Sequence, residues 1–195
     1  MSPILDSIGS VKSYGWGSAA GFKPSFESIA TLTSTGSTEI FTFSSIPSTY
    51  QHLQIRGIAR GAAGTNGGIR ITVNGDTAGN YNYNRVYANA STSTPFSDAT
   101  ANTTYIDPGE AAYGTDLANT FAAFIIDIHD YKSTSKFKTF RILKGKTRRT
   151  TNGDNIVQLG AGLWRSTSAI TSITITAMTP QANNTSFALY GAKGE

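Results

Sequence analysis

The chain contains no cysteine. That removes a disulfide framework, a thiol nucleophile and thiolate metal ligands together. Histidine is nearly absent: His52 and His129 are the only two in 195 residues, too few donors for a zinc site. Charge is scarce as well, at 14% against the roughly 25% of an average soluble domain. No apolar run approaches the ~20 residues needed to span a bilayer, so membrane insertion is not expected. The opening "MSPILDSIGSVKSYGWG" lacks a basic stretch followed by a long apolar one, so a secretory signal is not expected either. No cofactor is expected.

Ser, Thr, Asn and Gly fill the space that charge leaves. Hydroxyl-rich, β-branched Thr suits strands, and Gly and Asn suit the turns between them. The length fits one sizeable core and is short for two domains. A net charge of +4 and an isoelectric point near 9.3 permit a polyanionic partner without requiring one.

Residues 1–25 differ from the rest. Ser2 and Pro3 make a helix-start pair, and Ile4, Leu5, Ile8 and Val11 then share one helical face before Gly15. So short a helix is marginal alone in water and needs a surface to pack on. With Trp16 and the linker "GWGSAAGFKPS", it reads as a short helical arm, either an anchor or a helix folded back on its own domain.

Residues 26–195 read as strand after strand. "HLQIRGIAR" sets Leu53, Ile55, Gly57 and Ala59 inward against His52, Gln54, Arg56 and Arg60, and "GIRITVNG" does the same with Ile69, Ile71 and Val73. "FESIATLT" places Phe26, Ser28, Ala30 and Leu32 on one face, and "EIFTFSS" gives Phe41 and Phe43. "YNYNRVYA", "TFAAFIIDIHDY", "KFKTFRILKG", "NIVQLGAGLW", "AITSITITAM" and "TSFALYGA" complete the set. A long loop is expected from Asn89 to Asn119, with one helical turn in "GEAAYGTDLAN". Many short strands with turn punctuation and no crossover helices imply an all-β fold, an antiparallel β-sandwich of jelly-roll type preceded by the arm. An up-and-down barrel is the second option. The Asn-Gly pairs at Asn74 and Asn152 read as hairpin turns.

Eight of the sixteen Lys and Arg residues fall between Lys132 and Arg149, with no acid among them. Alternation puts Lys136, Lys138, Phe140, Ile142 and Lys144 on one side of a strand, with Lys146, Arg148 and Arg149 following in a loop. A single-strand nucleic-acid binder interleaves aromatics with its cations, and none occurs between Lys144 and Asp154, so a nucleic-acid partner is not expected. The plain reading is a charged rim that discourages sheet-to-sheet aggregation. The alternative is an electrostatic interface formed by Lys144, Lys146, Arg148 and Arg149. Six of twelve acids (Asp98, Asp107, Glu110, Asp116, Asp127 and Asp130) precede the run, and opposite charges can meet across a subunit boundary.

Catalytic signatures fail in turn. "LKGKT" lacks the first glycine of a phosphate loop, since Phe140 stands there. "GAGLWR" lacks the third glycine of a dinucleotide fingerprint. Asp127 and His129 share a strand face, but no G-x-S-x-G supplies a nucleophile, so no enzyme activity is expected. Asp76 and Asp154 lack the spaced carboxylates of a calcium loop and read as turn residues. The best recognition candidate is "NYNYNRVY", where Tyr81, Tyr83, Arg85 and Tyr87 share one face. Aromatic faces accept the C–H side of sugar rings, so the quartet is a candidate glycan platform. The competing reading turns the tyrosines toward the core with hydroxyls at the rim.

"SFESIATLTSTGSTEIFTFSSIPSTYQHLQIRGIAR", "FIIDIHDY" with "KFKTFRI", and "SFALYGAKG" together resemble small virion structural proteins of tailed bacteriophages, of tail-fibre or minor structural type. "IPSTYQHLQIRG" and the terminal "LYG" are the most specific pieces. The resemblance spans most of residues 26–195 and lies in sheet segments, with no catalytic residues to carry across. It implies a β-sandwich module in the virion, trimeric or otherwise symmetric, partnered by other virion proteins and by itself. The short N-terminal segment resembles the anchoring arms of such modules. The expectation is a tail-fibre or baseplate-attached adhesin that meets a host surface glycan. The alternatives are a capsid decoration or cement protein and an independent carbohydrate-binding module.

Overall fold

The computed structural model describes residues 25–64, 67–89, 95–147 and 155–193. The expected helix over the first residues, with Ile4, Leu5, Ile8, Val11 and Trp16, lies outside them, as do Arg148, Arg149 and Asp154.

Eleven strands account for the regular structure: β1 (Phe26–Thr33), β2 (Thr38–Phe43), β3 (His52–Ala59), β4 (Ile69–Val73), β5 (Tyr81–Asn89), β6 (Phe96–Thr103), β7 (Ala122–His129), β8 (Lys138–Lys146), β9 (Ile156–Trp164), β10 (Ile173–Gln181) and β11 (Ser186–Ala192). They form an eight-stranded sheet, ordered β1-β11-β3-β7-β8-β9-β5-β6, and a three-stranded sheet, ordered β2-β10-β4. Every pairing between named strands is antiparallel. The fold is all-β and sandwich-like, as the alternation requires.

The core fills the space between the sheets. Phe41, Phe43, Ile69, Ile71, Val73, Ile173 and Ile175 of the small sheet meet Leu53, Ile55, Phe124, Ile126, Ile128, Phe140 and Ile142 of the large one. Each such side chain contributes about 1.5–3 kcal/mol by leaving water. Two glycines let rings lie flat on the large sheet. A Cβ on Gly57 would stand 2.3 Å from the Phe187 ring, and one on Gly191 would stand 2.2 Å from the Tyr50 ring.

Four expectations need correction. β1 carries a bulge between Ser28 and Ala30, so its phase flips: Ile29, Ala30 and Leu32 pack on the core while Phe26 is largely exposed. The segment expected as loop holds β6. No helix forms in residues 109–119: Glu110 and Ala112 bridge to Gly68 and Arg60, and two separate turns follow, closed by Asp116 N–H to the Tyr113 carbonyl and Thr120 N–H to the Leu117 carbonyl. The turn at Asn74–Gly75, with φ of 53° and 66°, is not a hairpin, because β4 lies in the small sheet and β5 in the large one.

The loop after β6 closes the open side of the small sheet. Ile106 exchanges two backbone hydrogen bonds with Ile71 of β4, both 2.9 Å, and Ala111 N–H donates to the Gly67 carbonyl. Arg60 organises the rest. Its guanidinium donates to the carbonyls of Gly114, Asp116, Leu117 and Thr120 at 2.9–3.1 Å. A planar fork with several donors suits this task, whereas a lysine offers only a point charge.

Candidate functional site

Residues in register across the large sheet form rows on its inner face. One row runs Phe187, Gly57, Phe124, Lys144, Gln158, Tyr87 and Phe96, from β11 to β6. The next runs Leu189, Ile55, Ile126, Ile142, Gly160, Arg85 and Asp98. Both rows begin apolar, where Phe187 meets Phe41 of the small sheet with ring centroids 5.1 Å apart. The first turns polar at Lys144 and Gln158, the second at Arg85 and Asp98. There the sheets enclose a cleft of about 390 Å³, floored by Lys144, Gln158, Arg85 and Tyr87 and walled by Asp107, Gly109, Glu110 and Met178.

The lysines of β8 are not a solvated rim. Lys138, Lys144 and Lys146 point inward and are at most 3% exposed. The strand also continues through Lys146, which was expected in a loop. Lys138 caps backbone, donating to the carbonyls of Lys136 at 2.8 Å and Thr167 at 3.2 Å. Lys146 lies 3.8 Å above the Tyr113 ring and 3.9 Å from Glu110 Oε2. Five of the six acids that precede the basic run, Asp98, Asp107, Glu110, Asp127 and Asp130, meet cations within one chain. Arg141 donates to Asp127 at 2.7 Å, and Lys136 to Asp130 at 2.8 Å.

Lys144 stands at the β8 side of the cleft floor, between Phe124 and Gln158. Burial pushes its ammonium down to about 8, helped by Lys146 and Arg85; Glu110 and Asp107 pull the other way and lose. Arg85 behaves differently. Burial works against its charge, but the hydrogen bonds to Asp98 and the field of Asp107 hold it above its ordinary value. Its Nε and Nη2 engage Asp98 at 2.8–3.0 Å, and Nη1 reaches Asp107 Oδ2 at 2.9 Å. Asp107 Oδ1 in turn accepts from Gly109 N–H. Gly109 has φ +97° and presses on the floor: a Cβ there would stand 2.7 Å from Gln158 Oε1 and 2.9 Å from Lys144 Cδ. Gln158 is 3% exposed, and its Nε2 finds no acceptor among the described residues.

The tyrosine quartet divides along β5. Tyr81 is a core residue whose hydroxyl accepts from Val73 N–H at 3.0 Å and donates to the Asp76 carbonyl at 2.9 Å. Burial pushes its phenol up to about 12. Tyr83 packs half-buried on the core. Arg85 and Tyr87 reach the cleft, with Tyr87 stacked on Phe96 at 5.6 Å and an interplanar angle of 22°. Half of the glycan candidates and Lys144 of the electrostatic candidate therefore converge on the cleft, while Lys146 stands beside it against Tyr113 and Glu110. Of the cleft's polar residues, Gln158 is the one the sequence pattern leaves unnamed; Asp107 and Glu110, expected to meet cations across a subunit boundary, line the cleft instead. Gln158 was findable, because it takes the inward phase of "NIVQLGAGLW" between Ile156 and Gly160.

Other candidates resolve into structure. Asp76 holds Trp164 Nε1 at 2.7 Å, Asn80 Nδ2 at 2.9 Å and Ala78 N–H at 2.9 Å. Asp127 accepts from Gln54 as well as Arg141, while His129 stands edge-on to His52 with centroids 5.2 Å apart. Among the described residues no three His, Cys, Asp or Glu cluster as metal ligands would.

A second surface lies on the outer face of the large sheet. Ile125, Leu143, Leu159 and Val86 form one row across β7, β8, β9 and β5, and Ile58 and Val157 flank them in the next. All six are 39–65% exposed. On the other side the stripe meets a fixed polar row of Gln54, Asp127 and Arg141. No family model matches the chain, and neither does a curated protein or a solved structure.

Proposed function

We propose that this chain is a structural virion protein of a tailed phage, a tail-fibre or baseplate-attached module that adheres to a host surface. Residues 1–25 serve as the anchoring arm, and residues 26–195 are the adhesive sandwich. The observation that carries this reading is the outer stripe of Ile58, Val86, Ile125, Leu143, Val157 and Leu159. An antiparallel sheet with one face in water coats that face with polar side chains, whereas a contiguous apolar patch marks an assembly surface. Copies of the chain cover it, and the resemblance noted in the sheet segments makes the assembly a homotrimer.

The strand order supports the same reading. The run β1-β11-β3-β7 faces β2-β10-β4, and the Ile106 segment extends the small sheet past β4. We read that order as a jelly roll, a fold used by capsid and lectin domains, with the pairs β5-β6 and β8-β9 added to the large sheet. Adhesion through several weak sites on one particle needs avidity and no chemistry.

Gold-labelled antibody against the chain, applied to intact particles, tests the placement. Decoration of the tail or baseplate is expected. Gold confined to the head shell replaces the adhesin with a capsid decoration protein, and particles without gold overturn the reading.

A further inference from the structure

We infer that the cleft between β8, β9, β5 and the 107–110 segment binds a carboxylate-bearing saccharide, the acid group seated on Lys144 and Gln158. This rests on reading the chain as an adhesive module and names what it would adhere to.

Several polar groups in the cleft are already satisfied within the chain. Asp107 is held by Arg85 and Gly109 N–H, and Glu110 Oε2 accepts from the Tyr113 hydroxyl. Arg85 is committed on Nε, Nη1 and Nη2. The acids and the arginine are therefore engaged. Two donors remain side by side. Lys144 and Gln158 are direct cross-strand partners, both at least 97% buried, and Gln158 Nε2 has no acceptor among the described residues. A buried donor without an acceptor costs about 1–3 kcal/mol, so a ligand that brings an acceptor recovers it. Next to an ammonium, the acceptor that gains most is an anionic oxygen, and a carboxylate has two oxygens to reach both donors.

The remaining lining selects a ring rather than a bare ion. Tyr87 and Met178 offer apolar surface, and Asn89, Asp107 and Glu110 add polar groups to the same lining. The volume of about 390 Å³ falls in the range of small-molecule sites and far exceeds one carboxylate. Nucleic acid fits poorly, because its repeating phosphates follow a cationic track, whereas this lining offers one cation not already held by an acid, Lys144.

The test is an array of saccharides probed with the full-length protein. It carries uronic and sialic acid glycans, their methyl esters, and neutral sugars of the same size. Acidic glycans bind, and esterification weakens them roughly 10- to 100-fold, the worth of one charge-assisted hydrogen bond. Lys144→Met does the same, and affinity falls as pH rises through about 8, where Lys144 loses its proton. Should Lys144→Met misfold, Gln158→Met provides a second removal of a donor with the cation intact. Esters or neutral sugars binding as well as acids, unchanged affinity in a folded Lys144→Met, or an array with no bound saccharide each overturn the assignment. Gold on the tail beside an empty array would refute the ligand and leave the adhesin standing.

Discussion

Lys144 joins stability to the site at the scale of a single residue. Its proton is held less tightly in the folded chain than in the unfolded one, about 8 against an ordinary 10.5. The sign follows from linkage. Between those values the unfolded chain binds more protons, so stability rises with pH; below about 8 the folded chain bears the full penalty of a charge out of water. That penalty is on the order of 3 kcal/mol at one pH unit per 1.36 kcal/mol. Lys144→Met is therefore expected to raise stability in urea denaturation at pH 7, and the gain should shrink as pH rises from 8 toward 10. A Lys144→Met variant less stable than the parent at pH 7, or a gain that does not change with pH, contradicts this account of the buried ammonium. The sequence showed which β8 residues share a face with Lys144 but not which way that face points. Phe137 and Leu143 on the opposite side are as apolar as Phe140 and Ile142, and they prove to be 49% and 48% exposed.

Elements whose two faces differ were legible, and those whose faces match were not. β3 and β4 alternate large aliphatics with polar residues, and the structure keeps that phase. β6 is an edge strand that leaves nearly every residue of "FSDATANT" at the surface, so no hydrophobic period announces it. The phase error in β1 comes from one inserted residue, which period-two counting cannot see. The sequence pattern makes Arg60 an outward charge on a strand, and it stands directly after β3 as a bridge residue. Its four carbonyl partners, however, lie more than fifty residues along the chain. Arg60→Ala is expected to lower stability by about 2–4 kcal/mol in urea denaturation and to speed amide exchange in residues 113–121 selectively. Arg60→Lys should recover only a minor part, because one ammonium cannot meet four carbonyls. Unchanged exchange in that segment would show that the loop holds itself. The cleft was half visible for the same reason: β5 and β8 advertise their cations, whereas Asp107 and Glu110 arrive on a loop whose course no local pattern fixes.

The whole molecule has a large sheet with two purposes. Its inner face changes from core to cleft along each row, and its outer face carries the apolar stripe beside a polar row locked by Asp127. Burying Leu143 and Leu159 between copies would remove their apolar surface from water while leaving the cleft free for a ligand. An Asp at either position would place an unpaired charge in that contact, which is strongly unfavourable. The direct measurement is the solution mass of the full-length chain by sedimentation equilibrium, alongside Leu143→Asp and Leu159→Asp. A trimeric parent with both variants reduced to folded monomers is the predicted result. A monomeric parent, or variants that assemble as it does, would contradict the claim that this face is where copies meet.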